Sequence, residues 1–206
     1  MQTMTSPQPL PRLQIFGLRF ARFLAALCLA LWIGGMAFFG IMAAPVLFHP
    51  EKSGIARAAD TATLAPQLVS AMLTRFGTLT TLCAVALLVC ALIDGVLSRA
   101  LKSHLWRAQT ALSLLCLGFS LYLNGVLLPQ TRRDQAQILP LIARASRGET
   151  LSATDQARRS AFDTGHRTYQ RLATINLYLL LAILFLLIAR GADFRPPDVP
   201  KRSPNL

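Results

Sequence analysis

Acidic residues are scarce in this chain: 9 Asp and Glu stand against 21 Lys and Arg, a formal net charge of +12. Charge of either sign is scarce as well, at 15% of residues, where soluble domains carry about 25%. What charge there is leaves long stretches untouched: residues 23–50, 76–93, 108–131 and 172–189 contain none. Runs of that length argue against a soluble globule. A basic excess can mark a nucleic-acid partner, but here no basic patch is interleaved with aromatics. The Lys and Arg flank the apolar runs, where they suit lipid headgroups, so no nucleic-acid binding is expected.

Other absences narrow the chemistry. The 4 cysteines, Cys28, Cys83, Cys90 and Cys116, all lie inside apolar runs and form no C-x-x-C pair. They read as small buried hydrophobes, with no disulfide framework and no zinc site. There is no G-x-S-x-G, no H-E-x-x-H and no pair of carboxylates within the apolar runs, so no catalytic residue and no enzyme activity is expected. No H-x-x-x-H pair occurs, and neither a metal ligand set nor a cofactor is expected. The nearest approach to a copper-type donor set is His49 and His166 with Met36 or Met42.

What is present is hydrocarbon in membrane-length pieces. About 20 apolar residues at about 1.5 Å each cross a hydrocarbon core of about 30 Å. The four runs therefore predict an all-α integral membrane four-helix bundle, residues 12–190, with spans at 23–48, 74–97, 105–128 and 170–190. The first run is too long for a signal-peptide core and is read as an uncleaved span. Residues 1–11, with three prolines, predict a disordered tail, and 191–206 a flexible one. Pro66 reads as a helix start and Pro129 as the stop of the third span. A long loop follows from residue 130, with the apolar piece 138–142 at its surface. Ser152 with Asp155 resembles a capping box, the start of an amphipathic loop-helix that runs into the last span. The short second loop and both flanks are dense in Lys and Arg, which points to cytoplasmic termini in a multi-pass protein of the inner (plasma) membrane.

The last span carries a polar stripe. At 100° per residue, Phe162, His166, Tyr169, Ala173, Asn176 and Leu180 fall within about 40° of one line. Asp163 and Arg167 sit four apart on a neighbouring face, a spacing that suits an ion pair. Asn176 lies about 7–8 Å deeper than Arg171 by helix rise, and an unsatisfied amide in hydrocarbon costs several kcal/mol. The stripe is therefore expected to face the bundle interior. Topology puts His49, Asn124, Arg132, Asp163, His166, Tyr169 and Asn176 at one end of the bundle, which makes that end the candidate ligand-binding or structural polar cluster. In the first span Ala26, Ala30 and Gly34, with Gly35 beside them, recur at the spacing that lets helices approach closely in lipid, and are expected to pack against another helix. Besides the lipid bilayer, a membrane-protein partner or a second copy of the chain is the expected company. The functional expectation is a scaffold or a partner- or ligand-binding bundle; the alternative is an accessory to transport or tolerance of a metal ion or small solute.

Residues 31–40 (LWIGGMAFFG) and 44–48 (APVLF) resemble the first helix of the domain-of-unknown-function 4149 family, which includes the eukaryotic transmembrane protein 205. Phe162-Asp163-x-x-His166 with Asn176 is similar to the family's approach to its last helix, and Tyr122, Asn124 and Pro129 to the end of its third. The likeness covers about residues 20–190. It implies a four-helix integral membrane protein and, through that relative, some handling of a metal or drug-like solute.

Overall fold

The computed structural model describes residues 12–48 and 61–192. The predicted tail 1–11, most of the first loop and residues 193–206 lie outside them. The described chain is helical with no strand among the described residues: α1 (Arg12–Ala37), a π-helical segment π1 (Phe38–Ala43), α2 (Ala44–Phe48), α3 (Thr61–Leu97), α4 (His104–Tyr122), a second π-helical segment π2 (Leu123–Leu127), α5 (Leu128–Ser146) and α6 (Ala153–Ala192). These join into four rods of 34 to 42 residues, each long and apolar enough to cross a membrane. The chain is a multi-pass membrane protein built as a four-helix bundle.

In the bundle α1 packs on α3, α3 on α4, α4 on α6, and α6 back on α1. Short connections favour such neighbours. The interior is filled by Cys28, Leu29 and Trp32 from α1, Cys83, Ala84 and Leu87 from α3, Cys116 from α4, and Leu180 and Ile183 from α6. Large apolar side chains also cover the outside, among them Phe23, Leu82, Leu114 and Phe185, as expected where the solvent is acyl chain rather than water.

The small-residue stripe of the first span turns the other way from expectation. Ala26, Ala30 and Gly34 are exposed on the outer surface. The buried row of α1 is Ala21, Ala25, Cys28, Leu29 and Trp32. The reason is volume: the wide side chains of Leu29 and Trp32 fill the centre of the bundle, and the alanine face left over looks out. Only Gly35 meets another span, where a Cβ would come within 2.2 Å of the Phe76 ring.

Pro129 does not end the third helical rod. Proline lacks an N–H, and its ring collides with the carbonyl four residues back. Widening the helix to π just ahead of it moves that carbonyl aside, an accommodation available in membrane helices. In π2 the Leu128 N–H bonds the Leu123 carbonyl, five residues back. The same device precedes Pro45, where the Ala44 N–H reaches the Phe39 carbonyl across π1. The rod therefore continues to Ser146, and the expected long loop is α5, which also passes through Pro140.

At about 1.5 Å per residue a 42-residue rod is about 63 Å long, twice the hydrocarbon core. The charge-free windows put α5 and the first half of α6 beyond the bilayer as a helical hairpin. Ile138 and Leu141 are buried in it, so the apolar piece at 138–142 is a packing strip between α5 and α6 rather than a surface segment. Gly148 makes the reversal, with φ +80°, a value open to glycine at little cost. Arg144 and Arg147 reach Glu149 at 2.9 and 3.1 Å, and Arg144 lies 3.7 Å from Asp155. Hydrogen bonds from Arg144 and then Arg147 hold the Glu149 carboxyl below its ordinary range, so this exposed clasp is present above the ordinary glutamate range and fades as pH falls through the lowered value. Ser152 accepts the Asp155 N–H at 3.2 Å and opens α6, which runs through Gly165 without a break. Leu141→Asp places a charge in the hairpin's apolar strip. It is expected to cost about 3 kcal/mol locally, seen as faster amide exchange across 130–165 with the spans unchanged.

Candidate functional site

The half of the bundle remote from α4's first turn holds a cavity of about 840 Å³. Its walls are α1 and π1 (Trp32, Met36, Phe39), α3 (Leu73, Phe76, Thr80), the end of α4 with π2 (Ser120, Leu123, Asn124), and α6 (His166, Tyr169, Asn176). Two causes leave this space open. Both π segments border it, and π widening swings the following turns off the straight helix path. In addition, the α1 backbone approaches that of α6, while the backbones of π1 and α2 stay more than 8 Å from it. The first and last spans thus part on the side away from their shared contact.

The lining is mainly apolar, with scattered hydroxyls, amides and an imidazole, and holds no Asp, Glu, Lys or Arg among the described residues. On its α3–π2 wall the polar groups are spoken for. The Asn124 amide donates to the Gly77 carbonyl (2.9 Å), to Thr81 Oγ1 and Ser120 Oγ (both 3.1 Å) and to Thr80 Oγ1 (3.2 Å). Thr81 and Ser120 pair at 3.1 Å. Gly77 is required there, because a Cβ would lie 2.7 Å from Asn124 Oδ1. This network ties the widened third rod to the second.

On the α6 wall the amide is not spoken for. Asn176 is 2% exposed, and its carboxamide oxygen is buried without a hydrogen-bond partner. Buried amide oxygens in folded proteins nearly always have one. About two helical turns toward the mouth, Tyr169 is half-buried. His166 is exposed at the rim, with its ring stacked on Phe162 at 6.3 Å and its Nε2 3.2 Å from the Gln170 amide nitrogen.

Of the residues grouped from the sequence, the structure brings Asn124, His166, Tyr169 and Asn176 around one space. Arg132 and Asp163 are exposed and do not line it, and His49 lies outside the described residues. Arg132 is carried away because α5 continues straight into the hairpin. Asp163 points from a different face of α6, and Arg167 bonds its backbone carbonyl at 3.4 Å instead of its carboxylate, so the expected ion pair does not form. Thr80, Ser120, Trp32 and Phe76 were not singled out from the sequence; hydroxyls and aromatics within apolar runs carry no pattern of their own.

A second polar cluster sits at the opposite end and was also missed. Asp94 of α3 is 3% exposed. Arg22 Nε of α1 donates to its Oδ1 at 2.7 Å, and Arg190 of α6 pairs with Oδ2. Arg190 also donates to Gln109 Oε1 of α4 at 2.7 Å. Three spans meet on this carboxylate, and the fourth joins them through Arg190. Its signal was readable: Arg22, Asp94 and Arg190 each stand at the edge of a charge-free window, and topology puts those edges on the same side. Nearby, Trp106 donates to the Ala91 carbonyl at 2.8 Å, with its indole lying where a Cβ on Gly95 would be. This end is closed over its ion pairs, though the Thr110 hydroxyl beside Gln109 is buried without a partner; the cavity end is open and carries the unpaired Asn176 oxygen.

A family model described as Domain of unknown function (DUF4149) matches residues 27–140, more than half of the chain, and the chain belongs to that family. Neither a curated protein nor a solved structure matches it.

Proposed function

We propose that this member of the family is a ligand-binding membrane bundle whose cavity receives an uncharged, largely apolar small molecule, and that its role is binding rather than catalysis. The observation that carries the reading is the cavity that reaches Asn176. A stripe serving only to hold helices together would be packed shut, with its amides paired. A volume near 840 Å³ lies within the range of small-molecule sites, which are mostly apolar with a few placed polar groups. The absence of charge on the walls disfavours an ionic guest, since desolvating an ion there would have no compensation. Among the described residues the lining offers one imidazole and one thioether, His166 and Met36, less than a metal cation asks, and this favours an organic molecule. The inner membrane as host, with cytoplasmic termini, belongs to the same proposal and rests on the basic short loop and flanks.

Native mass spectrometry of the protein released from detergent tests this. An uncharged organic molecule is expected to co-purify near one per chain, and to be lost from Ala173→Phe, which fills the space from the α6 wall. Equal occupancy in both proteins, or none in either, would refute the reading. Stability gives a second check. In protein stripped of its guest, Asn176→Leu removes a buried amide without a partner, so the melting midpoint should stay level or rise, by an amount corresponding to about 1 kcal/mol. A scaffold role predicts a fall.

A further inference from the structure

We infer that the guest is a hydroxyl-bearing amphiphile dissolved in the bilayer, which enters sideways between π1 and α6 and hydrogen-bonds Asn176. The inference rests on the cavity being a binding site and adds the guest's chemical class and its route. The route follows from the gap. The backbones of π1 and α2 stay more than 8 Å from that of α6, and the cavity fills the interval, with Phe39, Gly40 and Ile41 on one side and Tyr169, Ala173 and Leu177 on the other. Its π1 edge is hydrocarbon: Phe38, Ile41 and Met42 are all exposed, and Gly40 between them is both exposed and part of the lining. An opening bordered this way faces acyl chains, and a guest that reaches it is already dissolved among them.

The polar requirement follows from Asn176. Its oxygen is an acceptor without a donor, so the guest must donate. The wall carries no charge to stabilise an ammonium, which leaves a neutral donor. A hydroxyl is the smallest neutral group that can donate to the oxygen and accept from the same carboxamide's N–H. The oxygen is sealed from the free space in the unoccupied chain, and meeting the hydroxyl takes only rotation of the carboxamide about its terminal torsion, which is a soft coordinate. The rest of the guest lies against Trp32, Phe76 and Leu177, which calls for an alkyl or ring body.

Trp32 supplies the readout, because it lines the cavity and the other of the 2 tryptophans, Trp106, stands at the opposite end. The protein in lipid vesicles is titrated with 12-bromododecanol and with 1-bromododecane, whose bromine quenches indole on contact. Signal that disappears in Trp32→Phe is assigned to the cavity. Saturable quenching by the alcohol is expected, with about tenfold weaker binding in Asn176→Leu and no change for the alkane. Saturable quenching that is equal for alcohol and alkane, or indifferent to Asn176→Leu, would overturn the hydroxyl pairing and leave the cavity reading standing. No saturable quenching by either would bring down the cavity reading itself. For the route, Gly40→Leu adds a side chain at the seam, where a Cβ meets nothing within 4 Å. It should slow the onset of quenching after mixing with alcohol-loaded vesicles by several fold; an unchanged onset would overturn lateral entry.

Discussion

Asp94→Leu is expected to lower the melting midpoint of the detergent-purified protein by roughly 10 °C. The carboxylate is buried and accepts from Arg22 and Arg190. Removing one partner of a buried pair costs about 3–5 kcal/mol, because the remaining charge is stranded, and about 1 kcal/mol shifts the midpoint by about 2–4 °C in a chain of this size. The two arginines should not contribute equally. The Arg22 side chain is 19% exposed and that of Arg190 7%, so Arg22 can swing to the headgroups while Arg190 stays held against Gln109. The larger share of the loss is thus assigned to Arg190. A companion change, Arg190→Met, should then recover much of what Asp94→Leu loses, since replacing a buried pair wholesale by apolar groups is often near neutral. Melting followed by circular dichroism decides it: a single variant that melts with the wild type, or a double variant worse than the single, removes the clamp from the account of stability.

Gly77→Ala should be the next most damaging small change, at about 2–3 kcal/mol. The added carbon would lie 2.7 Å from Asn124 Oδ1, so the amide must retreat from the Gly77 carbonyl and from the hydroxyls around it. Overpacking of this kind costs about 1–3 kcal/mol, and a buried polar group left unsatisfied costs a similar amount. A double-mutant cycle separates this from a plain loss of helix contact. In the Asn124→Ala background Gly77→Ala should cost little, giving a coupling of about 1–2 kcal/mol. Independent, additive effects would mean that the network does not hold π2 against α3.

How much of this could be read from residues alone varies with the physics behind each feature. The four spans were legible because a bilayer imposes a length and a polarity that few other structures need. The burial of Asn176 was legible because hydrocarbon makes an outward amide costly, whereas His166, expected on the same inward line, is exposed at the rim. The first span's packing face was misread: small residues at spacing four permit close approach without requiring it, and the volumes of Leu29 and Trp32 decided the rotation. The third rod's end was hidden behind Pro129, because a proline reads as a helix stop unless π widening upstream is foreseen, and no residue pattern announces that widening. The cavity is a property of how four rods diverge, and no single segment encodes it. The clamp on Asp94 could have been found by asking which window edges share a side of the membrane.

The clamp also has an order in time. As the chain leaves the ribosome, Arg22 is made first, Asp94 later, and Arg190 only once the fourth rod exists. Until then the carboxylate has at most one guanidinium, and Gln109 has no cation to receive. The last rod therefore brings a second guanidinium to a carboxylate that Arg22 already faces, and the Gln109 side-chain carbonyl takes up part of the added charge, so the joint that closes the bundle is the one whose final piece is translated last.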